Sequence, residues 1–210
     1  MTSRTLERKD LIVGTIIAMI MASIFTLVGG LPLVVTFVPG LAISWLIFLL
    51  MYLKRSELPE GGTFFPVYFS TLAWQFIHFN EEFLTGFYEL FPQLYGRSPW
   101  SPGLFVSINM VAYFVFVIAC LLVFTKNLNF LVIPTLFFIV YGAIGNAVAH
   151  TWWVILQKSY FPGFYTAQAY WILGPLVLSR LIGSRRDTLI SSVLFAFMLI
   201  PLLTIFIRPK

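Results

Sequence analysis

Seven stretches of this 210-residue chain are long and apolar enough to cross a bilayer as helices, a crossing that takes about 20 residues. They cover 11–28, 31–53, 64–90, 104–124, 130–156, 164–181 and 189–207. The connections are short and carry turn-forming residues, as in "GGLP", "KRSELPEGG", "FPQLYGRSPWSPG" and "GSRRD". No water-soluble domain fits between them, so the whole chain, 1–210, reads as one integral membrane domain. The runs lack period-two alternation, which excludes a β-barrel and leaves an all-α bundle of about seven membrane-spanning helices.

Composition agrees with that reading. The chain is 60% hydrophobic and 10% charged, with a mean hydropathy of +0.93, too little polar surface for a soluble globule of this size. Its one cysteine, Cys120, excludes an intramolecular disulfide and a multi-cysteine metal site. The formal charge of +5 comes from basic residues at the ends of the apolar runs, where they set orientation. They give no reason to expect a nucleic-acid partner, and the partners expected are membrane lipids. The first stretch follows Arg4, Arg8 and Lys9 as a signal sequence would. It is long for one and lacks a small-x-small cleavage site, so it is expected to remain as an anchor.

With the N-terminal flank 1–10 in the cytoplasm, nine basic residues fall inside: Arg4, Arg8, Lys9, Lys54, Arg55, Lys126, Arg180, Arg185 and Arg186. Four fall outside: Arg97, Lys158, Arg208 and Lys210. The excess predicts an N-in, C-out protein of the plasma (inner) membrane.

Against this background the segment "WQFIHFNEEF" stands out, because Glu81 and Glu82 are the two acidic residues deep in an apolar run. No lysine or arginine lies at their depth, so their partners must be protons, histidines, amides or a metal. The chain has two histidines, His78 on the helix expected over 64–90 and His150 on the one over 130–156. His78 stands three residues before Glu81 and four before Glu82, and Asn146 stands four before His150, so each group shares a helix face. Both groups lie somewhat past half way along helices running in the same direction. Asn109 comes to a similar height, which predicts one polar pocket in the outer half of the bundle. Gly142, Ala143, Gly145, Ala147 and Ala149 give the fifth stretch a small-residue surface for close approach by a neighbour.

The run His78-Phe79-Asn80-Glu81-Glu82 resembles the signature for which the HXXEE family of membrane proteins is named. A second block, "GNAVAHTWWVILQKSYFPGFYTA", resembles that family's later Asn-x-x-x-His segment and its Tyr-x-Pro-Gly turn, here Asn146, His150, Tyr160, Pro162 and Gly163. The likeness covers roughly residues 70 to 180. It implies a polytopic membrane protein with these polar residues at its centre and does not itself supply a reaction.

Three kinds of chemistry fit the residues. In a metalloenzyme, His78, Glu82 and His150 would hold a divalent ion such as zinc or iron and leave a position open for water, with Glu81 as general base. The order His-x-x-Glu-Glu resembles the inverted His-x-x-Glu-His motif without its last histidine. Without metal, Glu81 and Glu82 would divide acid and base roles, with His78, His150 and Asn146, in hydrolysing or isomerising a lipidic or isoprenoid substrate. That inventory resembles the intramembrane CAAX-type proteases, except that Gly86 stands where they carry an arginine. Asn109 and Tyr160 are the residues expected to bind the hydrophobic small-molecule substrate. The third reading is a proton-linked transporter, small-ligand receptor or assembly factor using the same residues. Single cysteines placed beside Lys54 and beside Arg97 test the orientation. A membrane-impermeant thiol reagent on intact cells should label the second and spare the first, and the opposite pattern overturns it.

Overall fold

The structure, a computed structural model, describes residues 4–207. The expected outer charges Arg208 and Lys210 lie outside the described residues. Ten α-helices account for most of the described residues, and no strand occurs among them. They are α1 Arg8–Gly29, α2 Leu31–Leu53, α3 Gly61–Leu84, α4 Phe87–Leu94, α5 Pro102–Lys126, α6 Val132–Phe137, α7 Asn146–Gln157, α8 Phe164–Ala167, α9 Tyr170–Ile182 and α10 Arg185–Phe206.

Five helical runs are long and apolar enough to cross a membrane: α1, α2, α5, α10 and the continuous rod Asn129–Gln157 that contains α6 and α7. Two expected spans differ. The run over 64–90 breaks at Thr85 and Gly86, where Gly86 takes φ +81° and starts α4. Such a left-handed residue ends a helix, and glycine adopts it without strain. The part that remains, α3, has the length to cross, but its face carries Gln75, His78 and Glu82. The run over 164–181 is interrupted at Gln168–Ala169, leaving α9 with 13 residues, about 20 Å of helix against a hydrocarbon core of about 30 Å.

The rod is the axis of the bundle: nearly all of its most apolar stretch is buried, whereas most residues of α1 and α10 are not. The outer helices therefore turn large apolar side chains outward, such as Leu27 and Phe197, which a bilayer solvates and water does not. The rod is not a regular helix. Between α6 and α7, Phe138–Gly145 winds as a π-helix, a form that recurs at functional sites. Its small residues receive α9 and α10. Gly174 of α9 sits so close to Ile144 that a Cβ would overlap it, and Gly145 lies against Phe195 of α10. Helix α3 packs instead on α5, α8 and α9, and reaches the rod through side chains.

The basic residues mark one end of the bundle. Arg4 donates to the Phe124 carbonyl at 3.2 Å, and the Leu58 amide donates to Arg4 at 2.9 Å. Lys54 pairs with Asp187 at 2.7 Å. The N-terminal flank, the 54–60 loop, the end of α5 and the start of α10 thus share one end.

A buried histidine and glutamate centre

The centre is built where α3 and α7 face each other at the end away from those basic residues. From α3, Gln75, His78 and Glu82 project on one buried face, as their spacing of three and four residues requires. From α7 comes His150, wholly buried among Phe87, Trp153 and Phe161. The two imidazole rings meet edge to face with centroids 4.8 Å apart.

Glu82 joins them. Its Oε1 lies 3.4 Å from His78 Nε2 and 3.3 Å from His150 Nε2. Neither contact has hydrogen-bond alignment, and both of these ring nitrogens, with His150 Nδ1, lack any hydrogen-bond partner. Four ligands held about 2.0–2.1 Å from a tetrahedral zinc ion stand about 3.3–3.4 Å apart, so both measured separations match edges of such a site. The ligand atoms of His78, Glu82 and His150 all lie within 4.8 Å of one another. This group is positioned to hold a metal ion.

The tautomer of His78 follows from its other nitrogen. His78 Nδ1 lies 2.8 Å from Thr166 Oγ1, and the same hydroxyl lies 2.5 Å from Glu81 Oε2. A carboxylate only accepts, so the one hydroxyl proton of Thr166 goes to Glu81, and His78 Nδ1 must donate to Thr166. That assignment leaves Nε2 of a neutral His78 with a bare lone pair facing the Glu82 carboxylate. Two acceptors at this distance repel unless a proton or a cation stands between them. Among the described residues the ion-pair partners of Glu82 are the two histidines alone.

Glu81 points elsewhere. Its two oxygens accept four hydrogen bonds: from Tyr160 Oη at 2.8 Å, the Tyr165 amide at 3.1 Å, the Thr166 amide at 2.8 Å and the Thr166 hydroxyl at 2.5 Å. Four donors are the surroundings of an ionised acid, whereas a proton carrier in the pocket was expected. Glu81 ties the 158–169 segment across the centre and reaches it only through Thr166. Tyr160, expected to touch substrate, serves this clamp and does not line the cavity described below. It sits in the loop beyond α7, where partial burial, and then the Glu81 carboxylate, raise its phenol above the usual value and keep it a donor.

Over the centre lies Gly163, whose φ of +83° and lack of Cβ both matter. A Cβ there would stand 2.6 Å from His150 Cε1 and 2.9 Å from Glu82 Cγ. The Pro-Gly pair is therefore more than a turn.

A cavity of about 430 Å³ begins at Glu82 and runs between α1, α5 and the π-helix. Its walls are mostly apolar, with polar groups from Gln75, Asn109, Tyr113 and Asn146. Three of these belong to one directed chain. Tyr170 donates to Gln75 at 2.5 Å, Gln75 to Tyr113 at 3.2 Å and Tyr113 to Asn109 at 3.0 Å. Asn146 donates to the Gly142 carbonyl at 3.0 Å, within the π-helix, and makes no hydrogen bond to Glu82 or to either histidine.

Sequence reasoning missed Gln75, Tyr113, Thr166 and Tyr170. Gln75 was open to discovery one turn before His78, as was Tyr113 one turn after Asn109. Compared with protein-family models, with curated proteins and with solved structures, the chain finds no match in any of the three. Fold and site together define an all-helical protein of membrane type with a buried His/Glu/His centre.

Gly163→Ala tests the closeness of the loop to the centre. The added methyl must push His150 or Glu82 aside in a backbone conformation that alanine resists. The purified protein should lose about 1–3 kcal/mol of stability, measured by thermal unfolding in detergent. An unchanged transition would mean that the loop does not seat on the centre.

Proposed function

We propose that this protein is a membrane-embedded metalloenzyme acting on a lipidic or isoprenoid substrate, related to the HXXEE proteins its sequence resembles. In this reading the chain passes the bilayer seven times, N-terminus in the cytoplasm and C-terminus outside, in the plasma (inner) membrane. Alpha-helix α3 and the broken pair α8 and α9 supply the two polar passages. The single observation that carries the functional reading is the position of Glu82. One of its oxygens lies 3.4 and 3.3 Å from two imidazole nitrogens that have no hydrogen-bond partner, and the same side chain lines an apolar cavity.

His78, Glu82 and His150 are the ligands, and three protein ligands leave a position free for water or substrate. A divalent ion such as zinc or iron, held there, supplies Lewis acidity and makes water easier to deprotonate. The remaining roles belong to side chains. Thr166 fixes the His78 ring and its tautomer, as outer partners of metal-bound histidines do. Glu81 holds Thr166 and is a positioning residue. Asn146 and the Gln75, Tyr113 and Asn109 string orient the polar part of a substrate whose remainder lies along the apolar walls. Phe87, Trp153 and Phe161 keep bulk water from His150, which strengthens every charge interaction at the centre.

Elemental analysis of detergent-purified protein, after loading with zinc or ferrous ion, tests this reading. The expected result is about one ion per chain in the wild type, lost in His78→Ala, Glu82→Gln and His150→Ala with helical content retained. Thr166→Val should weaken the ion about 10–100-fold in a chelator titration, and Thr166→Ser should restore it. No bound metal in the wild type under any loading condition overturns the proposal. A pH-dependent solute flux into proteoliposomes, absent in Glu82→Gln, would then establish a proton-linked transporter.

A further inference from the structure

We infer that the cavity takes one hydrocarbon chain of a bilayer lipid and takes it sideways, through an opening between α1 and α5. The inference deepens the proposed function by narrowing its lipidic substrate to a bilayer lipid and giving the route of entry, and it rests on that reading for the chemistry alone.

The opening is located by residues that both line the cavity and are exposed. They are Ile24 and Val28 on α1, and Leu104, Ser107, Val111 and Val115 on α5. Every exposed lining residue belongs to one of these two helices. Both helices pack on Asn129–Leu131 and on α6 at the basic end, so the gap lies toward the other end, beside the centre. All but Ser107 are aliphatic, and Val111 is 63% exposed. The opening therefore faces the hydrocarbon layer, which a lipid chain reaches without desolvation and a water-borne solute does not.

The interior matches the same occupant. Aromatic and aliphatic side chains, including Phe105, Phe116, Phe137 and Phe138, form its walls. Glu82, Gln75, Tyr113, Asn109 and Asn146 line the same cavity and offer polar groups to the head of an amphipathic molecule. A volume of about 430 Å³ lies in the lower part of the about 300–1,000 Å³ range of ligand pockets. It holds one chain, while a second chain of the same lipid stays in the bilayer through the open side.

The test uses the wild-type protein in nanodiscs that contain phosphatidylcholine with a diazirine on one acyl chain. Labelled positions are mapped by peptide mass spectrometry after irradiation, and metal content is measured on the same samples. Label is expected on outward residues such as Phe197 and also within 137–146, a part of the buried rod that lipid reaches only through the cavity. Ala112→Trp, which fills the lining between the two helices, should lower the label in 137–146 severalfold and leave Phe197 unchanged. If that variant fails to fold, the wild-type pattern decides. Glu82→Gln separates the two proposals: it should lose metal and keep the label in 137–146. Label confined to outward faces overturns the inference, as does label in 137–146 that Ala112→Trp leaves unaltered.

Discussion

A carboxylate set between two imidazoles, its ion-pair partners among the described residues, is the constraint on which the rest of the structure turns. Removing such an anion from water costs several kcal/mol unless its charge is compensated. Here the compensation must come through His78 Nε2 and His150 Nε2, at 3.4 and 3.3 Å. Because His78 Nδ1 donates to Thr166, a neutral His78 turns the lone pair of Nε2 toward Glu82, and a proton or a cation must stand between the two. The surrounding structure serves that arrangement. The rod brings His150 to the level of Glu82, α3 turns Gln75, His78 and Glu82 to one side, and Gly163 lets the following loop close over both histidine and carboxylate.

The second glutamate explains how the loop stays closed. Glu81 points about 100° away from Glu82 around α3 and meets the backbone amides of Tyr165 and Thr166 together with two hydroxyls. Trp74, two turns earlier on the same face of α3 as Glu81, donates to the Thr166 carbonyl at 2.9 Å. Neighbouring carboxylates thus have separate tasks: one faces the cavity and the histidines, the other fastens the segment that covers them. A charge-assisted contact at Glu81 also fixes which nitrogen of His78 is free, so the two tasks are linked through a single hydroxyl.

Much of this was legible in the sequence. The spacing of His78 and Glu82, and of Asn146 and His150, placed each group on one helix face, and the depth of both groups brought them level. Adjacent residues of a helix point about 100° apart, so the divergence of Glu81 and Glu82 follows from the sequence as well. What each would meet does not, because Thr166 stands 85 residues from Glu81 along the chain and lies beyond a turn. For the same reason Tyr160 read as a substrate contact. The breaks after Leu84 and at Gln168–Ala169 hide inside apolar runs whose hydropathy continues through them, so two spans looked longer than they are. The π-helix has no period of its own to announce it, and the small residues around it could not say which neighbour they would admit. That neighbour is α9, with α10 beside it, and α3 stands off, meeting the rod through its histidine and glutamate.

The buried centre faces an apolar cavity in a bundle whose outer helices present leucine, isoleucine and phenylalanine, and the proposed reading joins polar chemistry to a hydrophobic reactant there. The central claim is that a metal ion sits between His78, Glu82 and His150. X-ray absorption spectroscopy on the zinc- or iron-loaded protein tests it most directly. The account predicts two imidazole nitrogens and a carboxylate oxygen in the inner coordination sphere at about 2.0–2.2 Å, with that pattern lost in Glu82→Gln. A coordination sphere of oxygen alone, with no imidazole scattering, would contradict it.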